Sequence, residues 1–393
     1  MSVRPAARRK RVLVIGHDAY RAGSQVCLLH LLRWLVGNYP ADFSLLLRRG
    51  GEMLGAYEEV LETKVVPAAP GGEGWRSILL RVARRALKRR RRLVPASEPI
   101  DLIYANSVPS LGIAMELAAA RNCPVICHIH ELDLAIHRFF AFEEFREVLQ
   151  RVDRIVAVSE AVATNLVNSH GVDPGKIHLI YEAIAQPVPR LDPKRCGEMR
   201  ETIGIPPDAF IVGGCGTMDL RKAPEVFVQI ARCLSDGATP RPVHFVWVGG
   251  QTAGWEREVL AHDIARMGLG EMVHFVGPQA EPAKYFSLFD VLMLTSREDP
   301  FPLVCLEAAA LGVPTICFAD AGGISEFVRS DAGFVVPYLD VARASECIRL
   351  LMGSEALRLR LGGCAAERVK EHDVARIGPQ IAAVIDTYLR AIV

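Results

Sequence analysis

Short, nearly unbroken apolar runs recur along the chain, each followed by a polar turn and then by a stretch with helical spacing. Runs of this kind read as strands buried on both faces, because a parallel sheet carries helices on both sides. In the first half the pattern predicts strands at Arg11–Gly16, Phe43–Leu47, Lys64–Val66, Leu102–Ala105, Val125–Glu131, Arg154–Ser159 and Lys176–Tyr181, with an apolar helix over about Val26–Val36. A Pro-rich stretch, Gln186–Pro193, reads as a linker. The alternation then restarts, with strands at Phe210–Cys215, Val243–Val248, Val273–Val276, Val291–Thr295, Thr315–Phe318 and Phe334–Val336. Helices are expected over Ala223–Leu234, Glu256–Arg266 and Leu303–Leu311, and the chain closes on two more at about Val341–Gly353 and Arg376–Ala391. Alternation of this kind builds parallel sheets covered by helices, an α/β chain.

The 393 residues exceed one ordinary core. The linker sets the division: residues 1–185 form one domain, 186–375 a second, and 376–393 a helix that crosses back to the first. The net charge of +1 argues against general nucleic-acid binding. The ten cysteines are scattered with no CxxC pair, so they read as reduced residues of a cytoplasmic protein, not as a disulfide frame or zinc site. The N-terminus lacks the apolar run of a secretion signal, and no stretch is long enough to span a bilayer, so any membrane contact is peripheral. One segment changes that picture. From Arg76 to Arg92 the chain is rich in Arg and Lys and holds no acid, and its apolar residues share a helical face. A basic amphipathic helix suits an anionic membrane surface, and a solvated basic face is the plainer alternative.

Candidate chemistry lies at strand ends. After the first strand comes a polar turn with Gly23, Ser24 and Gln25, which is not the GxGxxG dinucleotide fingerprint. His128, His130 and Glu131 end the strand at Val125; too few ligands converge there for zinc, and His130 is the member placed to meet a substrate. Arg221 and Lys222 follow the first strand of the second half. Two adjacent cations before a helix suit a diphosphate, and a surface pair at a helix start is the plainer alternative, weakened because cations there oppose the helix dipole. The loop after Val291–Thr295 carries Glu298 and Asp299, and the helix beside Pro302 carries Glu307.

In this order the motifs resemble the GT-B glycosyltransferases, specifically the retaining glycosyltransferase family 4 (glycosyl transferases group 1). The resemblance covers most of the chain and is densest from Gly214 to Pro337. It implies a GT-B architecture, two Rossmann-like parallel-sheet domains facing across a cleft, with the acceptor side first and the donor side second. Asp299 and Glu307 fall on the family's Glu-x7-Glu positions. The resemblance assigns catalytic roles to His130 and Asp299. It assigns donor binding to Gly23, Arg221, Lys222, Leu303, Val304 and Glu307, with the cations neutralising the diphosphate and Glu307 taking the ribose. No metal and no cofactor are implied. Asp stands for the first Glu, Pro302 for a Gly, Thr217 for an Arg whose part Arg221 takes over, and Glu182-Ala183 for an Asn-Gly pair.

The expected activity is transfer of a sugar, with retention of configuration, from a nucleotide-diphosphate sugar to a glycan or lipid-linked acceptor. The expected place is the cytoplasm, peripheral on the membrane face. Alternatives are a phosphorylase or epimerase on the same fold, or a non-catalytic partner in glycan assembly.

Overall fold

The computed structural model describes residues 8–67, 98–235, 237 and 239–390. The basic segment Arg76–Arg92 lies outside the described residues. The chain divides into two compact units: residues 1–183 together with 374–393, and Ile184–Asp373.

In the first unit the strands are β1 (Arg11–Gly16), β2 (Asp42–Leu47), β3 (Thr63–Val65), β4 (Leu102–Asn106), β5 (Val125–Ile129), β6 (Arg154–Ala157) and β7 (Ile177–Leu179). They form a seven-stranded sheet in the order β3-β2-β1-β4-β5-β6-β7. Its pairings are parallel throughout. β4 and β5 are buried along their whole lengths, which is why their sequences run apolar without alternation. The order reverses between β1 and β4. Loops leaving these two strands diverge and open a crevice at the carboxyl ends.

The helix after β1 spans Gly23–Asn38. It starts three residues before the expected Val26, because Ala22 is still extended (φ −142°, ψ 168°) and the helical turn begins at Gly23 itself. Its apolar face packs on the sheet and on the last helix, Val374–Leu389. Gly378 makes that second contact possible: a Cβ there would stand 2.3 Å from the Trp34 ring. The Tyr39 hydroxyl donates to Asp386 at the same seam.

Helices at Leu111–Arg121, Phe142–Gln150 and Glu160–Asn168 were not expected from the pattern. The last shows why. The strand expected to run to Ser159 stops at Ala157, and Ser159 is the helix cap, its Oγ accepting from Val162 N at 3.2 Å.

In the second unit the strands are β8 (Phe210–Cys215), β9 (Val243–Val248), β10 (Val273–Gly277), β11 (Val291–Leu294), β12 (Thr315–Phe318) and β13 (Gly333–Val336). The six-stranded order is β10-β9-β8-β11-β12-β13, again parallel, with its reversal between β8 and β11. The core centres on Phe227, edge-on to Phe245 and Trp247 at 5.0 and 5.3 Å. The expected linker ends where a helix begins: Pro193–Ile203 has Pro193 in its first turn and Asp192 as cap, accepting from Arg195 N at 2.9 Å. The expectation of two closing helices is corrected to three. Glu355–Arg368 follows Val341–Gly353 with only Ser354 between them, and the Ser354 hydroxyl accepts from Leu357 N at 3.2 Å.

Candidate active site

The crevice of the second sheet lies where β8 and β11 part, and the loops leaving these strands carry the expected charges. The β8 loop is tied by its own acid: Asp219 accepts from Thr217 Oγ1 and from Lys222 N, each at 2.9 Å. That turn throws Lys222 inward. Its ammonium donates to Asp299, whose side chain is 7% exposed, and Arg221 Nη1 stands 3.8 Å from the same carboxylate. Arg221 also donates to the Glu298 carbonyl at 3.0 Å, and Thr295 Oγ1 to the Lys222 carbonyl at 2.9 Å. The two loops are therefore one hydrogen-bonded body.

Burial alone pushes the Asp299 carboxyl up. The Lys222 and Arg221 charges, with hydrogen bonds from Lys222 and from Ser296 Oγ at 2.9 Å, outweigh it and hold the group below the usual aspartate range. Asp299 is an anion here. Its backbone is fixed as well: Asp299 N donates to Ala321 O at 2.7 Å and Gly323 N to Pro300 O at 3.0 Å. Gly322 permits this close approach, since it has φ +126° and a Cβ would lie 1.9 Å from Asp299 O.

The helix that follows spans Leu303–Ala310. Pro302 is extended (φ −71°, ψ 121°) and occupies the cap, not the first helical position. The N–H groups of the first turn, at Leu303 and Val304, are those a helix leaves for an anion. Leu303 is buried, while Val304 and, one turn on, Glu307 are half-buried. The half-buried Cys215 thiol at the end of β8 is pushed up to about 12, by desolvation first, with Glu307 adding to it and Lys222 opposing it. Glu307, Lys222 and Cys215 thus share one electrostatic neighbourhood.

In the first unit His130 follows β5. Its Nδ1 is 2.6 Å from Glu182 Oε1 and its Nε2 is 3.1 Å from Asn106 Oδ1. Only 4% of its side chain is exposed. Desolvation lowers the imidazole pKa, but the carboxylates of Glu182 and Glu131 outweigh it and raise the net value. Glu131 serves the backbone, accepting from Val108 N and His130 N at 3.0 Å. His128 bonds the Tyr104 hydroxyl at 2.8 Å and leans over His130, ring centroids 4.1 Å apart. Among the described residues no group of three or more His, Cys, Asp or Glu could hold a metal ion. Gly23 is exposed at its helix start. Beside it the Asp18 carboxylate accepts from Gln25 Nε2 at 2.8 Å and from Tyr20 N at 3.1 Å.

Of the expected residues, Asp299, Lys222 and Arg221 converge directly, with Glu307 close by and Leu303 and Val304 opening its helix. Sequence reasoning missed Ser296, Asp219, Asn106 and the part played by Glu182. Asn106 could have been found as the polar residue ending the apolar strand Leu102–Asn106.

Two parallel sheets whose strand orders reverse, the second with its charges gathered at the reversal, match a GT-B chain, and solved structures agree. The Anabaena protein HepE, solved with UDP and glucose, is 19% identical, with a TM-score of 0.80 over 95% of this chain and 99% of that one. A sucrose-phosphate synthase of Thermosynechococcus elongatus is also 19% identical, with a TM-score of 0.80 over 98% of this chain and all of its own. Residues 21–185 match Glycosyltransferase Family 4 and residues 197–368 match Glycosyl transferases group 1, and the chain belongs to this glycosyltransferase family. Among curated proteins it is similar to a D-inositol 3-phosphate glycosyltransferase of Stackebrandtia nassauensis, 30% identical over 285 residues, which is 68% of this chain and 63% of that protein. A protein of that name from Catenulispora acidiphila is 26% identical over 65% of each chain. The chain thus spans less than two thirds of the length of these relatives.

Proposed function

We propose that the chain moves a sugar from a nucleotide-diphosphate sugar to a glycan or lipid-linked acceptor, retaining the configuration at the transferred carbon. The observation that carries this is the pair Arg221 and Lys222, held beside Asp299 at the switch point of the second sheet. A nucleotide diphosphate leaves with growing negative charge, and fixed cations at that spot stabilise it as it forms. The first-turn N–H groups of Leu303 and Val304 add to the same field without a metal. In this reading Lys222 shares its charge between Asp299 and the incoming diphosphate. Glu307 accepts from the nucleotide ribose, Asp299 faces the donor sugar, and Gly23 and His130 act at the diphosphate and sugar. The departing phosphate oxygen takes the acceptor's proton, so no enzyme nucleophile is needed.

UDP and UDP-glucose are the first donors to try, because HepE was solved with them. The names of the curated relatives make a phosphorylated inositol the first acceptor to try. The test is transfer of label from UDP-, GDP-, ADP- and dTDP-sugars, with Lys222→Ala and Glu307→Ala beside the wild type. One donor should support transfer, with both variants slower by about 10²-fold or more. Equal rates in the variants would remove these residues from the site, and no transfer from any donor would remove the activity.

A further inference from the structure

The buried network around His130 has a proton requirement that follows from its geometry. The Asn106 side chain lies between two groups: its Oδ1 faces His130 Nε2 at 3.1 Å, and its Nδ2 donates to the Ser24 carbonyl at 3.3 Å. Ser24 sits in the first turn of the helix Gly23–Asn38. On the other side of the ring, His130 Nδ1 faces Glu182 Oε1 at 2.6 Å. A carbonyl and a carboxylate can only accept, so both ring nitrogens must donate, and only the imidazolium does so. A neutral ring that donates to Glu182 leaves a bare Nε2 against Asn106 Oδ1. Flipping the amide repairs that contact and turns Oδ1 against the Ser24 carbonyl. Either way one bond is lost.

We infer that Glu182 is a positioning residue that fixes His130 as the imidazolium, and that this charge orients the Asn106 amide against the turn opening the helix Gly23–Asn38. An Asn at position 182, as the family resemblance leads one to expect, could hold the ring but not its charge. The groups facing the imidazole support the inference. Glu182 comes from the segment after β7, and the Cys27 thiol of the helix Gly23–Asn38 donates to it. Glu131 and His128 flank the ring from the β5 segment, and Tyr104 on β4 engages His128. Burial first, and then the charge of His130, push the His128 pKa well below the ordinary value, so the tilted pair carries one positive charge. The functional meaning rests on the reading of Gly23 and His130 as donor contacts; the proton count does not.

The experiment is side-chain nitrogen NMR of the full chain across pH, with His130 assigned by His130→Gln, in wild type and Glu182→Gln. In wild type the His130 imidazolium persists above pH 6.5, the ordinary value, and the backbone amides of Gly23, Ser24 and Gln25 shift with its midpoint. In Glu182→Gln the midpoint falls by about 1 to 3 pH units. An unchanged midpoint in the variant, or helix-start amides that ignore the titration, would overturn the inference. Calorimetric titration of wild type with UDP, GDP, ADP and dTDP separates this result from the functional reading: failure of all four to bind speaks against the donor site and leaves the NMR result standing.

Discussion

Asp299 is the residue on which the donor-site account turns, because a carboxylate so buried must keep its counter-ions. Its folded pKa is depressed, so its contribution to stability is complete above the unfolded value of about 3.9 and is lost as pH falls through the lower folded value. Asp299→Asn should therefore flatten the acid limb of the stability curve below about pH 5. Removing one partner of a buried pair strands the other, so Lys222→Ala should cost about 3 kcal/mol in chemical denaturation. A cost below about 0.5 kcal/mol would mean that the pair is solvated. His130 has the opposite sign. Its folded pKa is raised, so its contribution is complete below about pH 6.5 and is lost as pH rises through the folded value. The charges themselves were legible in the sequence as cations and acids at strand ends. Their pairings were not. Lys222 and Asp299 are 77 positions apart and His130 and Glu182 are 52 apart, and only the order of strands in each sheet brings them together.

The element scale shows where local pattern was sufficient. β4, β5 and β11 are buried along their whole lengths, and such strands write themselves as apolar runs. Pro193–Ile203 was hidden because its start signal, Asp192-Pro193, also reads as the end of a Pro-rich linker. Glu355–Arg368 was hidden because one residue, Ser354, both ends the preceding helix and caps this one. Two glycines make element contacts that pattern does not announce. Gly322 lets its loop lie against the Asp299 backbone at a positive φ. Gly322→Ala should displace the Asp299 loop and abolish nucleotide binding while leaving far-UV circular dichroism intact; unaltered binding would detach that loop from the site. Gly378 lets the helices Val374–Leu389 and Gly23–Asn38 close on Trp34. Gly378→Ala should lose about 1–3 kcal/mol of stability, read as a lower denaturant midpoint, and Trp34→Ala in the same chain should relieve part of that strain.

At the scale of the molecule, each unit holds a parallel sheet whose strand order reverses; in the second the charged side chains lie on the two loops that part there, and in the first they follow β5 and β7 and meet the end of β4 through Asn106. The first unit gathers an imidazole, two carboxylates and an amide; the second gathers two cations around a carboxylate beside a helix start. Family membership accounts for the repeated sheet. The claim at the centre is that the second crevice takes a nucleotide diphosphate through Lys222 and Arg221. Calorimetric titration of the full chain with UDP, GDP, ADP and dTDP tests it without knowledge of the sugar or acceptor. The account predicts that one of these nucleotides binds the wild type and binds a folded Lys222→Ala variant at least about tenfold more weakly, the loss of one charge-assisted bond to phosphate. Equal affinity in the variant, or no binding of any nucleotide to the wild type, would contradict it.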